Sequence, residues 1–136
     1  MGERRVGGRG DEVPRALRRW FVVHCVVDWV FALPLLVFPE AFLSALGWPV
    51  VDPMAARGVA AALVGIGTQS LLSRNAGAAV YREMLSLKIL WSSAAAIGFA
   101  WTVLAGGPPI GWVFVAIFAF FDALWTYWRW RLRTTA

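Results

Sequence analysis

The sequence holds one cysteine, one histidine and one lysine, and charged residues make up only 15% of its 136 positions. The lone Cys25 excludes an intrachain disulfide, a CxxC redox pair and a thiolate metal cluster, leaving packing as its default role. One histidine excludes a bis-histidine haem or a histidine-rich metal centre built by a single chain. GxGxxG, P-loop, HExxH and GxSxG motifs are all missing. The nearest approach, Gly65-Ile66-Gly67 followed by Thr68-Gln69-Ser70, lies inside an apolar run and makes a poor phosphate loop. These absences predict no cofactor and no metal, and they offer no catalytic motif.

What is present is greasy. Apolar residues make up 60% of the chain, aromatics 15%, and the mean hydropathy is +0.64, far above ordinary soluble domains. The length allows one domain, and four spans of about 20 residues each fit within it. The expected fold is therefore all-α: a four-transmembrane-helix bundle over residues 15–133, preceded by a disordered tail over 1–14 that has almost nothing to bury. The spans are placed at about 16–38, 55–73, 83–104 and 110–130. The first is too long for a signal-peptide core and carries Asp28 in its middle, so it reads as a retained helix, bent by Pro34 and ended by Pro39. Residues 39–54 contain Pro39, Gly47, Pro49 and Pro53 together with Phe42, Leu43, Leu46 and Trp48, which predicts a short amphipathic helix at the membrane interface. The second span is rich in Ala and Gly. Its Gly58/Ala62 and Ala61/Gly65 pairs have the four-residue spacing of close helix contacts, which predicts a central position for that helix. A basic loop over 74–82 and a hairpin connection at Gly106, Gly107, Pro108 and Pro109 complete the chain.

Thirteen Lys and Arg stand against eight Asp and Glu. A nucleic-acid binder would carry such an excess as a stripe on one face, but eleven of the arginines fall in the first tail, the 74–82 loop and the last tail. Only Arg57 falls on the other side. That bias predicts N-in/C-in topology in a bacterial inner membrane, no nucleic-acid partner, and no dual-topology transporter. Trp20, Tyr81, Tyr127, Trp128 and Trp130 then fall at one boundary and Trp48, Trp101 and Trp112 at the other. Trp29, Trp91 and Trp125 lie inside the spans, as packing bulk or as pocket aromatics.

The ionisable residues within the spans are the informative ones. At 1.5 Å per residue, Asp28 lies about 13 Å, Asp122 about 10 Å and Lys88 about 9 Å from the nearest arginine at the same end. Gln69 falls at nearly the same level. Three charges exposed to lipid would cost on the order of 8 to 10 kcal/mol. The cheaper arrangement turns Asp28, Lys88 and Asp122 toward one another, with Gln69 and Ser92 completing hydrogen bonds. Ser92 is one turn after Lys88, and His24 is one turn before Asp28, within reach of its carboxylate. The same side chains also suit a plainer role as polar glue between helices. Arg57, near the other boundary, is expected to pair with Asp52 or lipid phosphate.

The runs LGWPVVDP, ARG, GIG, KILWS and FDALWTYWRWRLR, spread over most of residues 15–133, resemble the uncharacterised small four-helix integral membrane proteins of bacteria. The resemblance implies the fold and no activity. The Ala and Arg bias suits a high-GC bacterial genome. Three functions follow in order. The first is a binding or accessory subunit in the bilayer, as a homo-oligomer or beside a membrane-protein partner. The second is a small proton- or cation-coupled transporter or channel-like protein using a buried Asp/Lys cluster. The third is an enzyme on a lipophilic substrate, with His24 and Asp28 as acid and base. A small lipophilic or cationic ligand fits the second and third.

Overall fold

The structure, a computed structural model, describes residues 12–133. These fold as α1 (Arg15–Val37), α2 (Pro39–Ala45), α3 (Pro53–Leu72), a 3₁₀ turn (Ser73–Asn75), α4 (Ala78–Leu104) and α5 (Gly111–Arg131), with no strand among the described residues. Four of the helices are long and apolar enough to cross a membrane, the architecture of a multi-pass membrane protein. Apart from Glu12, Val13 and Pro14, the expected tail lies outside the described residues; Val13 is buried against the core.

Local chemistry explains the helix limits. α1 continues through Pro34 and stops at Phe38, because Pro39 cannot extend it and instead supplies the first residue of α2. Asp52 caps α3: its Oδ1 accepts from the backbone N–H of Met54 and Ala55, two donors the helix itself cannot satisfy. Asp52 is thus engaged by the helix start, and Arg57 turns elsewhere, donating its Nε–H to the Leu36 carbonyl at 3.1 Å in the last turn of α1. α4 begins at Ala78, so that residues 78–82 of the expected loop are helical. α4 ends in a Schellman turn, in which Gly106 bonds back to Val103 and Gly107 to Thr102, and Gly106 takes the positive φ of 93° that this turn requires.

The helices form two antiparallel pairs, α1 with α3 and α4 with α5. An aromatic core joins the pairs at the end that carries the termini: Leu17 and Phe21 from α1, Tyr81 and Leu85 from α4, Trp125 and Trp128 from α5. Tyr81 and Trp128, expected in the interfacial belt, are buried in this core because the helix ends close up here. At the opposite end Ala32 and Leu35 of α1 pack on Ala56, Ala60 and Leu63 of α3, with Phe42 and Leu43 of α2 against them.

α3 differs from the expectation in two ways. It packs on α1 rather than occupying the centre. Its contact face carries Ala56, Ala60, Leu63, Gly67 and Ser70, whereas Gly58, Ala61 and Gly65 are exposed. In lipid, burial of apolar surface does not choose between faces, and the close fit to α1 does. Gly67 is where that fit is tightest: a Cβ there would lie 2.8 Å from the Cβ of Asp28. Gly67→Ala is accordingly expected to destabilise the protein by about 1–3 kcal/mol. Gly65→Ala, whose Cβ would meet open space, is expected to be neutral or slightly stabilising. Chemical unfolding of both variants in mild detergent checks the contrast.

Candidate functional site

The helical period places His24 and Asp28 one turn apart on the inward face of α1, and both are buried. α4 brings Lys88 across to meet them. Its ammonium Nζ lies 3.0 Å from His24 Nδ1, while Asp28 Oδ2 lies 2.9 Å from that same nitrogen. One ring nitrogen presents either a lone pair or a proton, so it serves only one of these neighbours. Lys88 has the hydrogen-bond geometry, and Asp28 does not: no described residue donates a hydrogen bond to Oδ2. A buried carboxylate with no donor is an unsettled group in a protein interior. Lys88, 1% exposed, is further held between rings, 5.1 Å from the centroids of both Phe21 and Trp125. His24 meets Phe121 and Trp125 edge-on.

His24 and Asp28 line one end of a cavity of about 450 Å³, within the range of small-molecule sites. It occupies the space between the helix pairs, on the side of the triad away from the termini. α1 contributes Phe31 and Leu35 beyond Asp28, and α5 contributes Phe114, Phe118 and Phe121 opposite. Phe114 touches Phe31 and Trp48, which closes that side. The remaining wall comes from α3 and α4. Its members Val59, Ala94, Gly98 and Thr102 are the exposed part of the lining, so the cavity opens sideways between these two helices. Lys88 does not line the cavity; it stands behind His24.

The other residues singled out from the sequence divide between this site and other places. Trp91 lines the cavity, and Trp125 is fully buried behind it in the core. Trp29 stays outside the cavity lining and donates its indole N–H to Thr68 Oγ at 3.2 Å across the α1–α3 contact. Gln69 is exposed and donates to Ser73 Oγ at 3.0 Å, because the rotation of α3 that seats Gly67 on Asp28 turns Gln69 outward. Asp122 does not join the triad. Its Oδ1 accepts from Ser92 Oγ at 2.9 Å and Ser93 Oγ at 2.8 Å, and it is half-buried in a shallow groove on the far side of the α4–α5 pair. The Ser92 hydroxyl also lies 2.7 Å from the Lys88 carbonyl, so its one proton is shared between that acceptor and Asp122. Sequence reasoning missed the phenylalanine walls and Gly67. Phe114, Phe118 and Phe121 do recur at helical spacing, but an apolar stripe in an apolar helix carries no signal of a cavity.

Among the described residues no group of three or more His, Cys, Asp or Glu side chains is placed to hold a metal ion, and the ammonium of Lys88 beside His24 opposes a cation there. Set against models of protein families, curated proteins and solved structures, the chain gives no match. What the site does must therefore be argued from its own chemistry.

Proposed function

We propose that the chain is a binding protein of the bacterial inner membrane, with both termini in the cytoplasm, that holds a small lipophilic molecule between its helix pairs. One observation carries this reading: a cavity of about 450 Å³, walled by aromatic side chains and open toward lipid, ends on a buried His24–Asp28 pair. Apolar walls with a few convergent polar groups are the usual makeup of a ligand site. A lateral mouth suits a molecule dissolved in the bilayer. The eleven arginines that the sequence carries in its two terminal segments and over 74–82 support the orientation.

The packing beneath the triad favours binding over conduction. Phe21, Leu85, Tyr81 and Trp125, each fully buried, fill the space between Lys88 and the termini end. An ion or proton moving that way would meet close-packed rings, with only the Tyr81 hydroxyl, already bonded to the Arg74 carbonyl, and the Trp125 indole N–H as polar groups. A second reading is supported by the 2.9 Å contact between His24 and Asp28 at the cavity end, which places a base beside an imidazole where a substrate would lie.

Gly98 provides the test. It lines the cavity, and a Cβ built there meets nothing within 4 Å. Gly98→Phe is expected to fill the site while leaving the fold intact. Mass spectrometry of organic extracts from the purified wild-type protein is expected to find a lipophilic compound in near-stoichiometric amount, reduced at least about tenfold in the variant, the equivalent of about 1.4 kcal/mol of binding. Equal recovery from both proteins would refute the reading.

A further inference from the structure

We infer that the cavity selects an uncharged lipophile bearing a hydroxyl head group, which donates to Asp28 and accepts from His24. The inference rests on the reading of the cavity as a ligand site and goes on to name the head group. Three features of the floor lead to it.

The first is an unfilled acceptor. The Asp28 side chain is 6% exposed and lines the cavity, and no described residue donates a hydrogen bond to its carboxylate; Oδ2 is enclosed by His24 and Gly67, so Oδ1 is the oxygen open to a ligand. Its neighbours cannot easily move to supply one. Lys88 is committed to His24 Nδ1, and Gly67 of α3 presses against the Asp28 side chain from behind without a side chain of its own. A bound molecule entering from the cavity is then the remaining source of a donor.

The second is a donor on the adjacent ring. With the Lys88 ammonium as the donor across the 3.0 Å contact, Nδ1 presents its lone pair, and that tautomer carries the imidazole proton on Nε2. No described residue accepts from Nε2. The floor thus offers one acceptor and one donor side by side, and a hydroxyl group carries both complements on one oxygen. An ether or ketone satisfies only the ring, leaving Asp28 as it was.

The third is charge. Asp28 and Lys88 balance each other, so the floor is neutral when empty. A carboxylate or ammonium head would leave one unit of net charge in a low-dielectric interior, where an unpaired charge is costly. A neutral head avoids that cost. The phenylalanine walls then act on the apolar body of the ligand and the floor on its head.

The test uses the full chain in detergent with tritiated dodecanol as probe and unlabelled dodecanol, dodecyl methyl ether, dodecylammonium and dodecanoate as competitors. All share one apolar body. Specific binding is the counts held by wild type above those held by Gly98→Phe. Dodecanol is expected to compete at least about tenfold better than the ether, the effect of one hydrogen bond to a charged acceptor. In Asp28→Leu the gap between alcohol and ether is expected to shrink to about twofold, with ether binding retained. If that variant fails to fold, Asp28→Asn, nearly identical in shape and uncharged, is expected to narrow the gap at least about threefold. An ether as potent as the alcohol, or dodecylammonium or dodecanoate as the tightest competitor, would overturn the head-group assignment while leaving the ligand site standing. No specific counts in wild type would overturn both.

Discussion

Lys88→Met is expected to lower the unfolding free energy by about 3–5 kcal/mol, because it leaves the Asp28 carboxylate buried without its compensating charge. Lys88 is 1% exposed and Asp28 5%, so neither can reach water by a change of rotamer alone. The two are coupled through His24, whose Nδ1 lies within 3.0 Å of both. Asp28→Asn alone is expected to be destabilising as well, since it leaves the ammonium unpaired between Phe21 and Trp125. The double variant Asp28→Asn/Lys88→Met removes both charges together. Its cost is expected to fall short of the sum of the single costs by about 1–3 kcal/mol. Equilibrium unfolding of the four proteins in detergent closes the cycle. Strict additivity would mean that the two charges do not sense each other, and the account of a shared buried site would fail.

Trp125→Ala is the second large effect, with an expected loss of about 3–5 kcal/mol. The ring is fully buried and lies 5.9 Å from Phe21, 5.7 Å from Phe121, 5.2 Å from His24 and 5.1 Å from Lys88 Nζ, all measured to ring centroids. It touches the aromatic core and, in the polar triad, both His24 and Lys88. In a bilayer the loss arises from forfeited dispersion and cation–π contacts, because the lipid tails outside are as apolar as the core. Trp125→Phe provides the internal comparison. The indole N–H bonds nothing among the described residues, so removing it sacrifices no hydrogen bond, and the cost is expected to stay below about 1.5 kcal/mol. Thermal unfolding of both variants distinguishes the ring's bulk from its polar edge. A Phe variant as unstable as the Ala variant would show that the full indole bulk, which a phenyl ring does not replace, carries the effect.

These two positions also explain why the site combines rigidity at one end with open space at the other. Around Lys88 the rings of Phe21 and Trp125 leave the amine one hydrogen-bond partner and hold it there. Beyond His24 the same α1 and α5 face a gap, because the α1–α3 and α4–α5 pairs are joined mainly at the termini end and by Phe114 near the other. A cavity results where the two pairs meet without filling the space between them. Polar side chains line its closed end, and its open side lies between α3 and α4.

Much of the site could be read along single helices. His24 with Asp28, and Lys88 with Ser92, are four residues apart, and the 3.6-residue period puts each pair on one face whatever the rest of the fold does. Depth could be read as well, since the 1.5 Å rise converts sequence distance into height. By that measure Asp28, Lys88, Gln69 and Asp122 share a level. Only Asp28 and Lys88 come together, and they do so through His24, each against its Nδ1. Height along a helix follows from covalent geometry, but the direction a side chain faces depends on how the helix is turned about its axis, and four nearly all-apolar helices carry little pattern to say how.

Composition, the run lengths and the scarcity of charge were therefore enough to determine an all-helical chain with four membrane-length segments, because unpaired backbone amides in hydrocarbon leave a helix as the stable form of such a segment. The rotation of each helix was decided by tertiary packing alone. The close seat of Gly67 on Asp28 turned Gln69 outward, the hydroxyls of Ser92 and Ser93 drew Asp122 to the far side of α4 and α5, and the aromatic core held the pairs together at one end so that a cavity remained at the other. Each depends on shape complementarity between residues far apart in the chain, which no local period encodes.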